Sequence, residues 1–354
     1  MHPLSKIVVA TSLVLAQMTM SPVMAAQNPG DSCSPDGSVA AFSGTSMTCQ
    51  QSKWVLDGPM PQPEASGTQQ PAASTSTVKK AKNFRTVGTV LSDSTFGSTA
   101  KQVADASAVR LSNGRIKLFA FVNSTDTLPG TLSATSTSRT GRSFVADLRP
   151  PLPGIAAGQP RVISLGGKSM RLFYLASGNI NAAISTDNGA TFTVEGPVIT
   201  TEQAGFEPGG ITVIRHKSKW RAYFSNLEKP GERAPRVMRT ATSSNMLTWE
   251  MGPVITQGSG PLANGGSHPF AVIDRGRIAL YYAGDRGSFY GILVSTSKNG
   301  ISFTGEKSVI AGGGDPDIVR LNKKSWLMYY GADLGGGEFG IKAAKSIGPV
   351  VPSK

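Results

Sequence analysis

The pattern that decides the fold is clearest in the stretch Asp315-Pro-Asp-Ile-Val-Arg-Leu321. A short turn follows it, and then a second stretch, Trp326-Leu-Met-Tyr-Tyr330. A polar residue opens a short apolar run, and a second apolar run follows that is rich in aromatic residues. Apolar runs of this length between turns are typical of buried strands. The same pair of runs occurs at five places along the chain, and the first runs begin at Asp105, Gln159, Glu207, His268 and Asp315.

Each unit continues into a third strand, as in Ala183-Ile-Ser-Thr186, and a fourth strand that starts at an aromatic residue, as in 192–199. Four strands repeated five times predict an all-β fold, a five-bladed β-propeller. The fifth unit ends after its third strand, at 341–345, whereas 84–91 has the fourth-strand pattern. We therefore expect this N-terminal strand to close the ring. An open β-sandwich of irregular strands is the alternative.

Composition excludes several classes of protein. The 354 residues include 41 Gly and 23 Pro, and only 16% are charged, which is unlike a helical bundle or coiled coil. The net charge of +13 favours acidic surfaces or ligands. The sequence has no nucleic-acid motif, phosphate-binding loop or zinc-ligand spacing, so we expect no nucleic-acid partner and interpret the basic excess as a solvated surface or as attraction to acidic glycans.

The N-terminus predicts export. Lys6 precedes the apolar run 7–16, and small residues follow at 23–26, so residues 1–25 have the features of a signal peptide. An N-terminal membrane anchor is the weaker alternative, because a span needs about 20 apolar residues. No later segment is long and apolar enough to span a bilayer. The sequence thus predicts a secreted or periplasmic protein.

A small module and a linker precede the propeller in the predicted domain order. Cys33 and Cys49 lie in the module, residues 26–56, and an oxidising compartment would let them form a disulfide. The module resembles Cys-bracketed segments of pilus-associated and other bacterial surface proteins, which implies a cell-surface partner. Residues 57–81 are rich in Pro, Gln, Ala, Ser and Thr, as is typical of a disordered linker. The propeller is predicted for 82–354.

The strand starts also indicate where chemistry could take place. Strands of a blade alternate in direction, so the innermost strands all begin on one face, around the ring axis. Asp105, Gln159, Glu207, His268 and Asp315 should therefore converge there. Two or three carboxylates beside a histidine provide candidates for general acid and base in glycosidic cleavage. The alternative is that these polar residues bond neighbouring backbone groups and close the channel.

At these residues the sequence resembles the five-bladed propeller glycoside hydrolases, the group of arabinanases, β-xylosidases, invertases and levansucrases. The resemblance implies a base or nucleophile at Asp105 and a general acid at Glu207. Asp315 could orient substrate or tune the acid, and Gln159 stands where the family usually has Asp. The segment Gly266-Ser-His268 partly resembles a Gly-His that lies near an axial ion or water in the arabinanase branch. Apart from that ion or water, we expect no cofactor and no metal site.

A second motif concerns a turn. The segment 185–192, Ser-Thr-Asp-Asn-Gly-Ala-Thr-Phe, matches the Asp-box of sialidases and other propellers. We expect Asp187 to accept backbone N–H bonds, Gly189 to adopt positive φ and Phe192 to anchor the turn. This makes Asp187 a structural residue on the face opposite the strand starts.

Two functional classes remain. Loop residues Arg286, Phe289 and Tyr290 mix charge with aromatic surface and are candidates for substrate binding, with solvated loop tips as the alternative. The first class is a secreted glycoside hydrolase that uses Asp105 and Glu207. The second is a non-catalytic propeller that binds a glycan or protein at the cell surface.

Overall fold

The computed structural model divides the chain into two compact units, Met1–Ala73 and Ser74–Lys354. It describes the ranges 39–42, 45–50, 53–56, 79–81, 83–97, 100–125, 129–147, 149–227, 237–257, 260–261, 266–286 and 289–352. The predicted signal peptide and nearly all of the predicted linker lie outside these residues.

The first unit contains a small antiparallel sheet of three strands in the order β1-β2-β3. The strands are β1 (Val39–Phe42), β2 (Thr45–Gln50) and β3 (Lys53–Leu56). The predicted disulfide involves Cys33, which lies outside the described residues, so this pairing stays a prediction.

The second unit is built almost entirely of strands, separated by short turns. Its first part contains β4 (Phe84–Leu91), α1 (Asp93–Phe96), β5 (Ala100–Arg110), β6 (Ile116–Ser124), β7 (Gly130–Ser136), β8 (Phe144–Ala146), β9 (Gly158–Gly166), β10 (Ser169–Ala176), β11 (Asn179–Ser185) and β12 (Thr193–Ile199). Its middle part contains α2 (Thr201–Ala204), β13 (Pro208–His216), β14 (Lys219–Asn226), β15 (Met238–Ser243), β16 (Glu250–Val254), β17 (Thr256–Gln257) and β18 (Gly260–Pro261). Its last part contains β19 (Ser267–Asp274), β20 (Arg277–Asp285), β21 (Tyr290–Ser297), β22 (Ser302–Ala311), β23 (Gly313–Asn322), β24 (Ser325–Gly335) and β25 (Glu338–Ser346).

Consecutive strands pair antiparallel and form the predicted blades. Blades one to four are β5–β8, β9–β12, β13–β16 and β19–β22, and blade five contains β23, β24 and β25. The first strands of the blades contact one another in cyclic order, β5 to β9, β13, β19, β23 and back to β5. They surround a common axis. We call the face where these strands begin the upper face, and the face where they end the lower face.

The N-terminal strand β4 completes the fifth blade. It pairs antiparallel with β25, with Phe84 opposite Ser346 and Leu91 opposite Ile341. The predicted pairing is therefore confirmed, and β25 is covered rather than left as an exposed edge.

Aromatic pairs join each blade to the next. In every pair, an aromatic ring on the second strand of one blade meets, nearly edge-on, an aromatic ring at the start of the fourth strand of the following blade. The pairs are Phe119–Phe192, Phe173–Trp249, Tyr223–Phe303, Tyr281–Phe84 and Tyr329–Phe144. Phe84 takes this position in blade five, which supports the same strand assignment from side-chain packing.

No helix in the described part of the chain is both long enough and apolar enough to span a membrane.

Candidate active site

Each first strand is interrupted near its upper end by an irregularity in its pairing with the second strand. One residue at each interruption has positive φ, a conformation that is uncommon for residues other than glycine. The five residues are Asp105 (φ 54°), Gln159 (φ 47°), Gly210 (φ 49°), His268 (φ 48°) and Asp315 (φ 49°). Bulges of this kind redirect side chains and are frequent beside active sites.

All five of these residues line one small cavity on the upper face, and its volume is about 10 Å³. That volume is close to the minimum that holds one water molecule. The side chains of the two aspartates and the histidine are 15 to 21% exposed. Solvent therefore reaches the cluster, although the cavity between its members holds no more than a water or an ion.

His268 lies between the two carboxylates. Its Nε2 is 3.4 Å from Oδ1 of Asp105, and its Nδ1 is 3.1 Å from Oδ1 of Asp315. A neutral imidazole has a single N–H, so both carboxylates are satisfied only if the cluster holds a second proton. Burial, and next to it the charge of Asp315, raise the pKa of Asp105 to about 7, against the opposing effect of His268 and Arg161. The Asp105 carboxyl group therefore gains and loses a proton near neutral pH.

The same three residues could hold a cation. One ligand atom from each of Asp105, His268 and Asp315 lies within 4.8 Å of the other two. A hard cation such as Ca²⁺ takes six to eight oxygen ligands, so water would have to supply most of them. The sequence resemblance implied an ion or water near His268, and this donor set fits either.

A second tier of side chains lies below the residues with positive φ, two positions further along the first strand of each blade. Arg161 and Asp317 form an ion pair there, with side chains 7% and 3% exposed. Ser107 donates to Asp317 at 3.0 Å, Arg161 Nε donates to the carbonyl of Ile211 at 2.9 Å, and the guanidinium lies over Phe270. Burial raises the pKa of Asp317, and the charge of Arg161 opposes that effect. Sequence reasoning missed this tier, although counting two positions on from each strand start finds it.

Glu207 does not occupy the position that the repeat of polar strand starts predicted for it. Gly210 has the positive φ of the third blade and lies on the cavity wall, whereas Glu207 precedes β13 and is not among the lining residues. Its carboxylate lies beside Gly178 in the β10–β11 turn. A Cβ built on Gly178 would be 3.6 Å from Oε1 of Glu207. That turn is on the upper face, and Glu207 is half-buried. Its role as an acid stays a prediction.

The predicted loop residues of blade four lie apart from the cavity lining. Arg286 binds Glu306 through two hydrogen bonds, at 2.8 and 2.7 Å, and Glu306 also accepts a bond from Tyr282. Phe289 packs against the apolar core of its blade, and Tyr290 is 61% exposed. Of the three candidates, Tyr290 offers the most ring surface to a ligand.

The Asp187 turn lies on the lower face and has the hydrogen bonds expected of it. Asp187 accepts from the backbone of Ala190 at 2.9 Å and of Thr191 at 3.1 Å. Gly189 has φ +71°, and Phe192 is buried. Asparagine takes the same place in the next two blades, where the side-chain oxygens of Asn245 and Asn299 each accept from two backbone N–H groups.

Solved structures that share this fold include several glycoside hydrolases. A family-43 β-xylosidase/α-arabinofuranosidase from a compost microbial metagenome, solved with xylotriose, is 18% identical over 76% of this chain and 97% of its own, with a TM-score of 0.55. The endo-1,4-β-xylanase of Bacteroides thetaiotaomicron is 14% identical over 71% and 96%, with a TM-score of 0.55. A family-43 enzyme of Xanthomonas citri is 16% identical over 69% and 88%, with a TM-score of 0.54.

No family model and no curated protein matches the sequence. At these identities the structural likeness establishes the fold alone. The chain has the five-bladed β-propeller fold that these family-43 glycoside hydrolases share.

Proposed function

We propose that this protein is a carbohydrate-active propeller that hydrolyses glycosidic bonds on its upper face. The observation that carries the proposal is the cluster of Asp105, His268 and Asp315, set at the axis of a fold that family-43 glycoside hydrolases share. Neighbours in the comparison were solved with xylotriose, so xylo-oligosaccharides are the first substrates to test.

In the proposed mechanism, Asp105 is the general base. Its pKa of about 7 leaves a carboxylate and a carboxylic acid at comparable concentrations near neutral pH. The carboxylate accepts a proton from a water molecule as the water oxygen bonds to the anomeric carbon. His268 and Asp315 hold the Asp105 side chain in place. A bound cation, if present, would add positive charge that favours the carboxylate.

The reaction also needs an acid that protonates the leaving oxygen, because hydrolysis adds one water across the broken bond. Glu207 is the proposed acid. Its support is its half-buried position on the upper face, together with the family resemblance. Export through the predicted signal peptide, and a cell-surface contact through the module that contains Cys33 and Cys49, are part of the same proposal.

A non-catalytic glycan-binding propeller is the second candidate, and the size of the cavity favours it. A volume of about 10 Å³ admits no sugar ring, so a sugar could only lie above the cluster. Gln159 cannot supply a carboxylate, and it accepts a hydrogen bond from the backbone of Gly210. In this alternative the polar residues at the strand starts close the channel, and loops of the upper face bind the glycan.

A panel of xylo- and arabino-oligosaccharides, with cleavage and binding measured separately, distinguishes the two. Asp105→Asn and Glu207→Gln should each lower turnover about 10²–10⁴-fold while binding is retained. Glu202→Gln, an exposed carboxylate on α2 of the same face, is the matched control and should leave turnover unchanged. If no glycan is cleaved but binding persists, the second candidate is correct. Turnover that survives both active-site substitutions would refute the mechanism.

A further inference from the structure

The lower face contains a groove that the proposed hydrolytic site does not use. Its volume is about 640 Å³, and it lies where the β19–β20 and β23–β24 turns meet the chain after β25. We call it the basic groove; residues 346–350 form part of its wall, and its charged and aromatic side chains are Asp274, Arg275, Arg320, Lys323, Lys324 and Trp326. Four cations thus face one carboxylate. The volume falls within the range of about 300–1,000 Å³ that is typical of small-ligand sites.

Two groups in the basic groove are fixed before any ligand binds. The guanidinium of Arg320 lies over the indole ring of Trp326, 5.3 Å from the ring centre. Its Nε and Nη2 donate to the carbonyls of Asn322 and Lys323, at 3.1 and 3.2 Å. Trp326 is half-buried against the core between blades four and five. A held cation beside an aromatic face loses little conformational entropy on binding.

The remaining charges are poorly neutralised. The Nε of Arg275 is 3.9 Å from the carboxylate of Asp274, and the Arg275 side chain is 89% exposed. Lys323 and Lys324 are both exposed at the turn. Repulsion among these cations is relieved by an anionic ligand, which gains charge-assisted hydrogen bonds.

We propose that the basic groove binds an acidic oligosaccharide, one with carboxylate or sulfate groups. A concave site in which several cations surround a guanidinium held on an aromatic ring suits a sugar with anionic substituents. The groove lies on the face opposite the Asp105 cluster, so this site is separate from the proposed hydrolytic one. It would hold the protein on an acidic glycan whichever function the upper face has.

The proposal has an internal control in blade three. There Arg215 lies over Trp220 at 5.2 Å, with Lys217 and Lys219 at the neighbouring turn of the same face. These residues are outside the lining of the basic groove. Lys323→Gln/Lys324→Gln and Lys217→Gln/Lys219→Gln each remove two formal positive charges beside a stacked pair. Lys219 also forms an ion pair with Glu250, and only the first pair of substitutions alters the groove.

Calorimetry with tetragalacturonate tests the assignment, with neutral xylotetraose as the comparison ligand. The unaltered protein should bind tetragalacturonate, and Lys323→Gln/Lys324→Gln should weaken binding about tenfold or more, whereas the blade-three pair should change it less than about twofold. Raising salt from about 0.05 M to about 0.5 M should weaken binding as well. Trp326→Phe, in which an aromatic ring keeps the core packed, should weaken it without unfolding the protein.

Three results would overturn the proposal. Equal weakening by the two lysine pairs would mean that the face acts only through diffuse charge. Equal affinity for xylotetraose would exclude recognition of acidic groups. Failure to bind tetragalacturonate, with tight binding to anionic lipid vesicles or duplex DNA instead, would assign the groove to another class of partner. Thermal melting of each variant confirms that folding is intact.

Discussion

Phe84, on the N-terminal strand, packs edge-to-face on Tyr281 of the fourth blade, with ring centroids 6.0 Å apart and planes at 87°. The two residues are far apart in sequence and belong to different blades. Asn83 donates a hydrogen bond to the Tyr281 hydroxyl at 2.7 Å, which fixes the same junction. The N-terminal strand is thereby fastened to blade four by the same kind of aromatic contact that joins the other blades.

Phe84→Ala should lower the free energy of unfolding by about 3–5 kcal/mol, because it removes a buried aromatic ring at the closure of the ring. Urea denaturation measures this. The matched control is Phe192→Ala, which removes the equivalent ring between blades one and two. The two losses should be similar. A loss for Phe84→Ala well below that for Phe192→Ala would show that the ring is held without the N-terminal strand.

Asp105→Asn should stabilise the protein at alkaline pH. The folded protein binds the Asp105 proton more tightly than the unfolded chain does, so ionisation of Asp105 reduces stability as pH rises from about 4 to about 7. The substitution should therefore leave the free energy of unfolding unchanged near pH 4 and raise it by up to about 4 kcal/mol near pH 8. Asparagine tolerates the positive φ of 54° at this position.

Urea unfolding of the Asp105→Asn variant at both pH values provides the measurement. Asp333→Asn, a substitution of an exposed aspartate on the upper face, should show no such pH-dependent gain. A gain for Asp105→Asn that is the same at both pH values would contradict the raised pKa.

Asp317→Leu should cost about 3–5 kcal/mol, because it leaves the buried charge of Arg161 without its partner. Arg161→Met/Asp317→Leu should cost less than Asp317→Leu alone, since both charges are then removed. Lys219→Gln is the exposed control: its ion pair with Glu250 is 58% and 76% exposed, and its loss should cost less than about 1 kcal/mol. Strict additivity of the two buried substitutions would argue against a coupled pair.

Asp187→Ala should cost about 1–3 kcal/mol near neutral pH and leave glycan turnover unchanged, because Asp187 supports a turn on the lower face. Hydrogen bonds from Ser185 and Thr191 help to lower the pKa of Asp187 to about 2, against the effect of burial. Its stabilisation should be present above about pH 4 and decline as the pH falls toward 2.

Asn299→Ala is the uncharged counterpart of this substitution. Asn299 accepts backbone bonds from Ile301 and Ser302 in the same turn of blade four. Its effect on thermal stability should not vary over that acidic range. The same acid dependence in both variants would mean that the Asp187 carboxylate is not its source.

The sequence by itself determined the strand order and the closure of the ring. Apolar runs, turn residues and the aromatic residue at the start of each fourth strand are local signals, and they repeat in every blade. The pairing of Phe84–Leu91 with Glu338–Ser346 followed from counting those signals. The convergence of Asp105, Gln159, His268 and Asp315 followed from strand direction alone.

Only the tertiary structure decided which residue of each first strand faces the ring axis and which side chains form pairs across the channel. Gly210, not Glu207, takes the third position, because a bulge sets which residue is redirected and its place cannot be read from apolar spacing. Arg161 meets Asp317 across the channel, and Arg286 meets Glu306 within blade four. The raised pKa of Asp105 depends on burial and on a neighbouring carboxylate from another blade. These properties arise from distances between residues remote in sequence, which the chain fixes only when the ring closes.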